Sequence, residues 1–162
     1  MAREVIDVEK LKNVWLFQDL TDSELLKLAE LGVIKEFKGG EYVIREGEEA
    51  KALYVILSGM IKVIKELPDG TRRELSSMTE GDFFGELGLL DGEPRSASVM
   101  AVTPLQVVAF YRKDFLNFMQ KHPMIAAKIL FRIAQVIGKR LRKANEQIRD
   151  ILVWQALKEK LN

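Results

Sequence analysis

The stretch from Phe83 to Ser98, FFGELGLLDGEPRSAS, places one acidic and one basic residue inside an apolar, glycine-rich segment. Glu86 follows Gly85 directly, and Arg95 lies nine residues further on. A carboxylate and a guanidinium are both costly in apolar surroundings unless each has a partner. The pattern therefore indicates either a buried ion pair between these two side chains or a site that binds a polar ligand.

The residue types around Arg95 suit an anion such as a phosphate group. An arginine presents a rigid fork of donors that matches phosphate oxygens, and the hydroxyls of Ser96 and Ser98 add neutral donors. The glycines let the backbone approach a ligand closely. If residues 86–90 form one helical turn, its unpaired amides also attract negative charge. We interpret the stretch as a candidate site for one phosphate.

Glu86 does not suit a phosphate, because two negative charges repel each other. An ionised carboxylate is, however, a strong acceptor for the hydroxyls of a sugar. A ligand that carries both a ribose and a phosphate would use both Glu86 and Arg95, so the sequence favours a nucleotide. The alternative, a buried ion pair between the two residues, stays open at this stage.

The elements that would position this stretch are helical at first and then β-rich. Apolar residues recur at helical spacing between Asp7 and Leu31, where Thr21 and Glu24 form a capping-box motif. From 32 to about 111, the runs YVI, LYVIL, MIKVI, ASVMAV and LQVVAF alternate with Gly-, Asp- and Pro-rich turns. This spacing predicts an antiparallel sandwich or barrel, with a hairpin tip at Asp69-Gly70.

Helical periodicity returns after Arg112. KDFLNFMQKHP predicts a short helix that ends at Pro123, and a longer helix follows from about Met124 to Lys160. Its apolar stripe consists of Leu130, Ala134, Ile137, Leu141, Ala144, Ile148 and Ile151. The alternating spacing of four and three is typical of a coiled-coil seam, so we expect a parallel homodimer through this helix. The alternative is an amphipathic helix lying on the sheet, which we favour for its first half. The expected domains are residues 1–123 and 124–162.

The composition limits the class of protein. The 162 residues are 48% hydrophobic and 30% charged with a net charge of +1, which indicates a soluble globular domain without a global field for nucleic acid or membrane. There is no cysteine, which excludes disulfides and thiolate chemistry and fits the cytoplasm. The N-terminal residues lack a signal-peptide pattern, and no apolar run approaches about 20 residues, so a cytoplasmic protein without a membrane span is expected.

Enzymes that use a small β-barrel do not fit the sequence. A cupin holds its metal with several histidines, whereas His122 is the only histidine and precedes Pro123 in a helical region. A phosphodiesterase needs a metal cluster or a nucleophile with its base, and no such group of residues is found. We therefore expect no enzymatic activity and no metal. The basic run GKRLRK at 138–143 is typical of a solvated helix face rather than a nucleic-acid contact.

Two motifs give the chain a resemblance to a known family. FGELGLLDGEPRSASVMA resembles the phosphate-binding cassette of the cyclic-nucleotide-binding domain family, and VIREGEEAKALYVILSG resembles its second signature. The resemblance covers about residues 11–148. It implies an eight-stranded antiparallel β jelly roll with flanking N-terminal helices and a long C-terminal helix. It also implies a regulatory domain that binds a cyclic nucleotide and then changes conformation.

The resemblance implies a role for each site residue. Arg95 would bind the exocyclic phosphate oxygens, Glu86 would accept from the ribose 2′-hydroxyl, and nearby backbone amides would complete the phosphate cradle. Leu75 and Met78 correspond to positions that line the base pocket. Ser96, where guanine-selective relatives often have threonine, favours cyclic AMP over cyclic GMP. The predicted ligand-binding residues are Gly85, Glu86, Leu87, Arg95, Ser96, Ala97, Leu75, Met78 and Asn145.

The long helix carries two further expectations. Asn145 stands where relatives present hydroxyl residues to the base, a departure from the family pattern, and its amide can read an adenine edge. The segment 144–148 is expected to act as a lid, with the movable part beginning after Pro123. No DNA-binding helix-turn-helix is expected after this helix, and the downstream protein partner is unknown. A scaffold that binds no nucleotide, or a fragment of a longer transcription regulator or channel, remains an alternative.

Overall fold

The computed structural model describes residues 4–162, so the first three residues of the predicted 1–123 domain lie outside it. The helices are α1 Val8–Lys12, α2 Asp22–Ala29, α3 Glu86–Asp91, α4 Arg112–Lys121 and α5 Pro123–Lys160, with a 3-10 helix at Trp15–Phe17. The strands are β1 Val33–Phe37, β2 Tyr42–Ile44, β3 Ala52–Ser58, β4 Ile61–Glu66, β5 Arg72–Met78, β6 Phe83–Phe84, β7 Ser98–Ala101 and β8 Leu105–Tyr111. Within 4–162, no helix is long and apolar enough to cross a membrane.

The eight strands form two four-stranded sheets, in the orders β1-β8-β3-β6 and β2-β7-β4-β5. Every strand pairing is antiparallel. The phosphate-binding stretch predicted from the sequence contributes β6 and α3 and ends at the first residue of β7, and its strand β6 pairs with β3. This arrangement confirms the predicted jelly roll with helices at both ends.

Strand β3 is buried on both faces and joins the two parts of the core. Its side chains alternate, because successive residues of a strand point to opposite faces. Leu53, Val55 and Leu57 belong to the core under the helices, whereas Tyr54 and Ile56 belong to the core between the sheets. This double burial explains why the sequence of β3 is a continuous apolar run without polar alternation.

The N-terminal helices are fixed to α5 by charged contacts. Thr21 and Glu24 form the predicted capping box, with the Thr21 amide 2.9 Å from the Glu24 carboxylate. The same carboxylate accepts a hydrogen bond of 2.7 Å from Lys128 on α5. Arg132, one turn further along α5, donates two hydrogen bonds of 2.7 and 2.8 Å to Asp19. These contacts hold the first half of α5 against the body of the protein.

The predicted hairpin is also present. Gly70 has a φ of 84°, and the Asp69 carboxylate accepts a 2.9 Å hydrogen bond from the Thr71 amide, which closes the turn between β4 and β5. Strand β5 lies at the edge of its sheet, and all its residues before Met78 are exposed.

Helix α5 divides into a packed half and an exposed half. Its 38 residues extend about 57 Å at 1.5 Å per residue. The buried side chains are Ile125, Ala126, Ile129 and Ile133. Residues 141–160 are all exposed. The apolar side chains in this exposed half are Leu141, Ile148, Ile151, Leu152, Val153, Trp154 and Leu157. Helix α5 thus continues well beyond the body that covers its first half.

Candidate functional site

A pocket of about 340 Å³ lies beside α3, between the segment from Glu93 to Ala97 and strands β4 and β5. The predicted site residues that line it are Leu75, Met78, Gly85, Glu86, Leu87, Arg95, Ser96 and Ala97. Residues distant in sequence therefore converge on one cavity. Their contacts with a ligand remain predictions.

Gly85 connects β6 to α3 in a conformation that favours glycine. Its φ is 84°, in the left-handed region that side chains rarely adopt. A Cβ atom at this position would lie 2.8 Å from Nη1 of Arg95 and 3.0 Å from the carbonyl oxygen of Ala52. The sharp turn at Gly85 lets α3 begin at Glu86, beside the pocket. Amides in the first turn of a helix have no intrahelical partners, so they are available to a ligand.

Arg95 is held by backbone carbonyls and has a relative exposure of only 7%. Its Nη1 donates to the Gly85 carbonyl at 2.8 Å, and its Nη2 donates to the Ala52 carbonyl at 2.5 Å. The guanidinium lies 6.0 Å from the ring centroid of Tyr54, which in turn stacks on Phe84. These contacts fix the direction of a side chain that is otherwise long and flexible.

The charge of Arg95 has no ion-pair partner within residues 4–162. Burial lowers the pKa of this guanidinium, but an arginine in a protein stays protonated. Two of its five N–H donors are used by the carbonyls of Gly85 and Ala52. A buried positive charge with free donors at the wall of a cavity is suited to an anion.

Glu86 pairs with Arg140 of α5 rather than with Arg95. The glutamate is 2% exposed, whereas the Arg140 side chain is 44% exposed. The alternative of a Glu86–Arg95 ion pair is therefore not what the structure shows. Arg140 contacts one carboxylate oxygen, Oε1, and an ionised carboxylate has further acceptor positions.

Arg140 is a charged pocket residue that the sequence does not predict. It belongs to the basic run for which the sequence predicts a solvated helix face, and Arg140 is indeed exposed, but it also lines the pocket and pairs with Glu86. The sequence places an apolar residue, Val136, four positions before Arg140 and therefore on the same helix face. In the structure Val136 packs against the core, which brings this face towards the body of the protein.

Asn145 lies outside this pocket, on the exposed half of α5. Five residues of α-helix after Arg140 correspond to about 7.5 Å along the axis and about 140° around it. Within one chain, Arg140 rather than the predicted lid segment 144–148 is the part of α5 that reaches the cavity. A ligand contact from Asn145 stays a prediction.

The wall of the pocket that β4 and β5 form is mostly apolar. Val63 on β4 and Leu75 and Met78 on β5 line it, and Leu75 is 59% exposed. Ser76 adds a hydroxyl on the same strand and was not identified from the sequence. This wall offers a flat ring an apolar surface with a single neutral polar group from β5.

The described residues contain no group of three or more His, Cys, Asp or Glu that could hold a metal ion. His122 lies between α4 and α5, where its ring is 4.7 Å from that of Phe118. Its surroundings are those of a helix junction and not of a sheet cavity.

Comparison with known proteins identifies the family. The family model for the cyclic nucleotide-binding domain matches residues 34–122, more than half of the chain. The chain belongs to the cyclic nucleotide-binding domain family. The pocket described above lies largely within this match, with Arg140 contributed from beyond it.

Relatives of this cyclic nucleotide-binding domain include regulators and kinases. The chain is 31% identical to the CRP-like cAMP-activated global transcriptional regulator of Mycobacterium tuberculosis, over 89% of this chain and 62% of the regulator. It is 37% identical to the cGMP-dependent protein kinase egl-4 of Caenorhabditis elegans, over 65% of this chain and 14% of the kinase. A solved cyclic nucleotide-binding domain from Methylobacillus flagellatus aligns with a TM-score of 0.76 and 26% identity, covering 87% of this chain and 79% of that one. The chain thus spans about three fifths of the regulator's length and a small part of the kinase.

Proposed function

We propose that this domain is a sensor that binds a cyclic nucleoside monophosphate, preferentially cyclic AMP, and has no enzymatic activity. The observation that carries the proposal is Arg95, a buried guanidinium without a carboxylate partner in the described chain, at the wall of the pocket. A cyclic phosphodiester has one negative charge, so one arginine and neutral amides can balance it without a metal. The sequence contains no cysteine, which is compatible with a function in the cytoplasm, where disulfides are rare.

The backbone near Arg95 supports the phosphate contact. Ser96 and Ala97 line the pocket, and neither amide donates a hydrogen bond to any residue of the described chain. Free amides beside a buried cation form a cradle for an anion. We assign the exocyclic phosphate oxygens to Arg95 and to these amides, together with the amides at the start of α3.

Glu86 is assigned to the ribose. Its carboxylate is buried at the pocket wall, where a 2′-hydroxyl can donate to it. Because Arg140 already contacts Oε1 of this carboxylate, the ribose either uses the other oxygen or displaces Arg140. In both cases the ribose contacts a carboxylate that also binds Arg140 of α5. Ligand binding and the position of α5 are thereby coupled, and a ligand shifts such an equilibrium only by its difference in affinity for the two arrangements.

The preference for the base rests on Ser96 and on the apolar wall of β4 and β5. An adenine ring can pack on Leu75 and Met78, which line the pocket beside the hydroxyl of Ser76. Relatives named for either cyclic nucleotide are similar to this chain, since one is cAMP-activated and another is cGMP-dependent. The base is therefore the first variable to test.

We further propose that the exposed half of α5 forms a parallel homodimer. Seven apolar side chains between 141 and 157 are exposed there, with no part of the described chain covering them. Their spacing includes the seven-residue step from Leu141 to Ile148, and Ile151 follows Ile148 by three residues, as a heptad pattern requires. Two copies would cover these side chains in one seam.

A thermal-shift titration tests the ligand. Cyclic AMP, cyclic GMP, a cyclic dinucleotide and linear AMP are compared over the same concentrations, because a ligand that binds only the folded state raises Tm with its concentration. We expect the largest shift with cyclic AMP and little or none with linear AMP. If none of the four raises Tm at millimolar concentration, the domain is a scaffold and the proposed function is wrong.

Hydrogen exchange tests the switch in the same preparation. Saturating cyclic AMP is expected to change exchange at the amides around Arg140 and along the first half of α5. If exchange is equal with and without ligand, the domain binds the nucleotide without changing conformation, and the proposed switch is wrong.

A further inference from the structure

The segment that carries Arg95 is fastened from outside the pocket. The Gly47 amide donates to the Arg95 carbonyl at 2.9 Å, and the Arg95 amide donates to the Glu48 carbonyl at 2.8 Å. The Glu46 amide donates to the Ser98 hydroxyl at 2.9 Å. The loop after β2 therefore runs beside the segment 95–98 and holds it through the backbone at Arg95 and through the side-chain hydroxyl at Ser98.

Lys65 on β4 completes this arrangement with a side chain. Its ammonium donates to the Ser96 carbonyl at 2.7 Å and forms an ion pair with the Glu46 carboxylate. Lys65 does not line the pocket, whereas Ser96 does. It reaches across 31 positions of sequence to the segment 95–98, and neither predicted family motif contains it.

The direction of a backbone N–H is set by the carbonyl of the preceding residue, because both belong to one planar peptide. In a planar trans peptide, the C=O and the N–H point to opposite sides of the chain. The Ser96 carbonyl belongs to the same peptide as the Ala97 amide, and the Arg95 carbonyl to the same peptide as the Ser96 amide. By binding the Ser96 carbonyl, Lys65 fixes the direction of the Ala97 N–H, as Gly47 does for the Ser96 N–H.

We propose that Lys65, held in place by Glu46, is a positioning residue that orients and polarises the Ala97 amide for a phosphate. This inference rests on the proposed cyclic nucleotide function and adds a residue outside the pocket to it. A cation at the carbonyl also strengthens the N–H donor of the same peptide, because hydrogen bonds in series polarise one another.

The Glu46 carboxylate of this pair is ionised at neutral pH. The hydrogen bond from Lys65 lowers the pKa of the Glu46 carboxyl, so that group is ionised and keeps the ammonium in place. Both side chains are partly exposed, 41% for Lys65 and 30% for Glu46, so water screens the pair. The pair therefore contributes little to folding stability, and the amide direction is where we expect its effect.

The test replaces Lys65 with methionine, which keeps the length of the side chain and removes its donors. Lys62→Met on the same strand is the matched control, because the Lys62 side chain forms no hydrogen bond or ion pair with any described residue. Two quantities are measured for each variant: the amide proton and nitrogen shifts of Ser96 and Ala97 in the free protein, and the Kd for cyclic AMP by calorimetry. We expect Lys65→Met to move the Ala97 signal and raise Kd about tenfold, and Lys62→Met to do neither.

Two further variants guard against misfolding. Lys65→Arg retains donors that reach a carbonyl and is expected to restore most of the affinity. Glu46→Gln retains the Glu46 backbone contact to Ser98 but removes the charge that holds Lys65, so an intermediate Kd is expected.

The possible failures are distinguishable. If the unmodified protein binds no cyclic nucleotide, the proposed function fails, while the Ala97 signal still reports whether Lys65 orients that amide. If the unmodified protein binds but Lys65→Met leaves both Kd and the Ala97 signal unchanged, the positioning role is wrong. A raised Kd with an unchanged Ala97 signal in the free protein would also overturn it, because Lys65 would then contact the ligand directly.

Discussion

Replacement of Arg95 with methionine should separate ligand affinity from folding stability. The methionine side chain has a similar length and is apolar, so the volume beside Tyr54 stays largely filled. The free protein loses two hydrogen bonds from a charged donor, to the carbonyls of Gly85 and Ala52, worth about 1.5–3 kcal/mol each. It also loses a buried charge that has no ion-pair partner in the described chain, and removal of such a charge is favourable. The two effects offset each other, so the free energy of unfolding should change by less than about 2 kcal/mol.

Arg95→Met should lower the affinity for cyclic AMP much more than it lowers the stability of the free protein. In the proposed complex, the donors of Arg95 that remain free pair with phosphate oxygens. Hydrogen bonds to a charged group contribute about 1.5–3 kcal/mol each, so two of them contribute about 3–6 kcal/mol. At 1.4 kcal/mol per factor of ten, Kd for cyclic AMP should rise by about 10²–10⁴.

Calorimetry with cyclic AMP and urea unfolding without ligand measure the two quantities. Arg132→Met is the matched control, because Arg132 makes two hydrogen bonds to Asp19 and does not line the pocket. That variant should lose stability and keep its Kd. A Kd for Arg95→Met within about threefold of the unmodified protein would refute the assignment of the phosphate to Arg95.

Three more variants test other parts of the site and the helix. Glu86→Gln should raise Kd for cyclic AMP about tenfold, and removal of the ligand's 2′-hydroxyl should then cost little more; full additivity in calorimetry would argue against a direct contact. Gly85→Ala should lower stability by about 1–2 kcal/mol and should also lower affinity, because the new Cβ meets Arg95. Gly70→Ala, at the same φ of 84° but with open space around it, should lower stability alone. Ile148→Asp should halve the mass from twice 18.5 kDa in light scattering while Gln147→Asp keeps the dimer; an unchanged mass for Ile148→Asp would count against the seam.

Local patterns in the sequence predicted most of the fold. The capping box of Thr21 and Glu24, the turn at Asp69-Gly70 and the ends of α4 and α5 depend on neighbouring residues, and the structure confirms them. Strand β6 was not predicted, because Phe83 and Phe84 form only a two-residue strand and two residues have no detectable period.

Contacts between distant parts of the chain were harder to predict. Arg140 and Glu86 are 54 positions apart, and Lys65 and Ser96 are 31 apart. Periodicity identifies which face of a helix is buried, but it does not say against which residues that face packs. The residue types of Glu86 and Arg95 favour a nucleotide, which agrees with the family, and their contacts with a ligand stay predictions. The protein partner of Glu86 could not be predicted, because it depends on how α5 docks.

The unbroken course of α5 has a mechanical consequence. Arg140 lies 17 residues from Pro123 and Lys160 lies 37 residues from it, about 25 Å and about 55 Å along the axis. If the helix tilts as a rigid rod about its first turn, a displacement of Arg140 is amplified about twofold at Lys160, in the ratio of these lengths. A tilt of about 10° moves Arg140 by about 4 Å and the far end by about 10 Å. Under the proposed switch, a displacement of Arg140 beside the ligand would therefore move the end of α5 by about the distance between two packed helices.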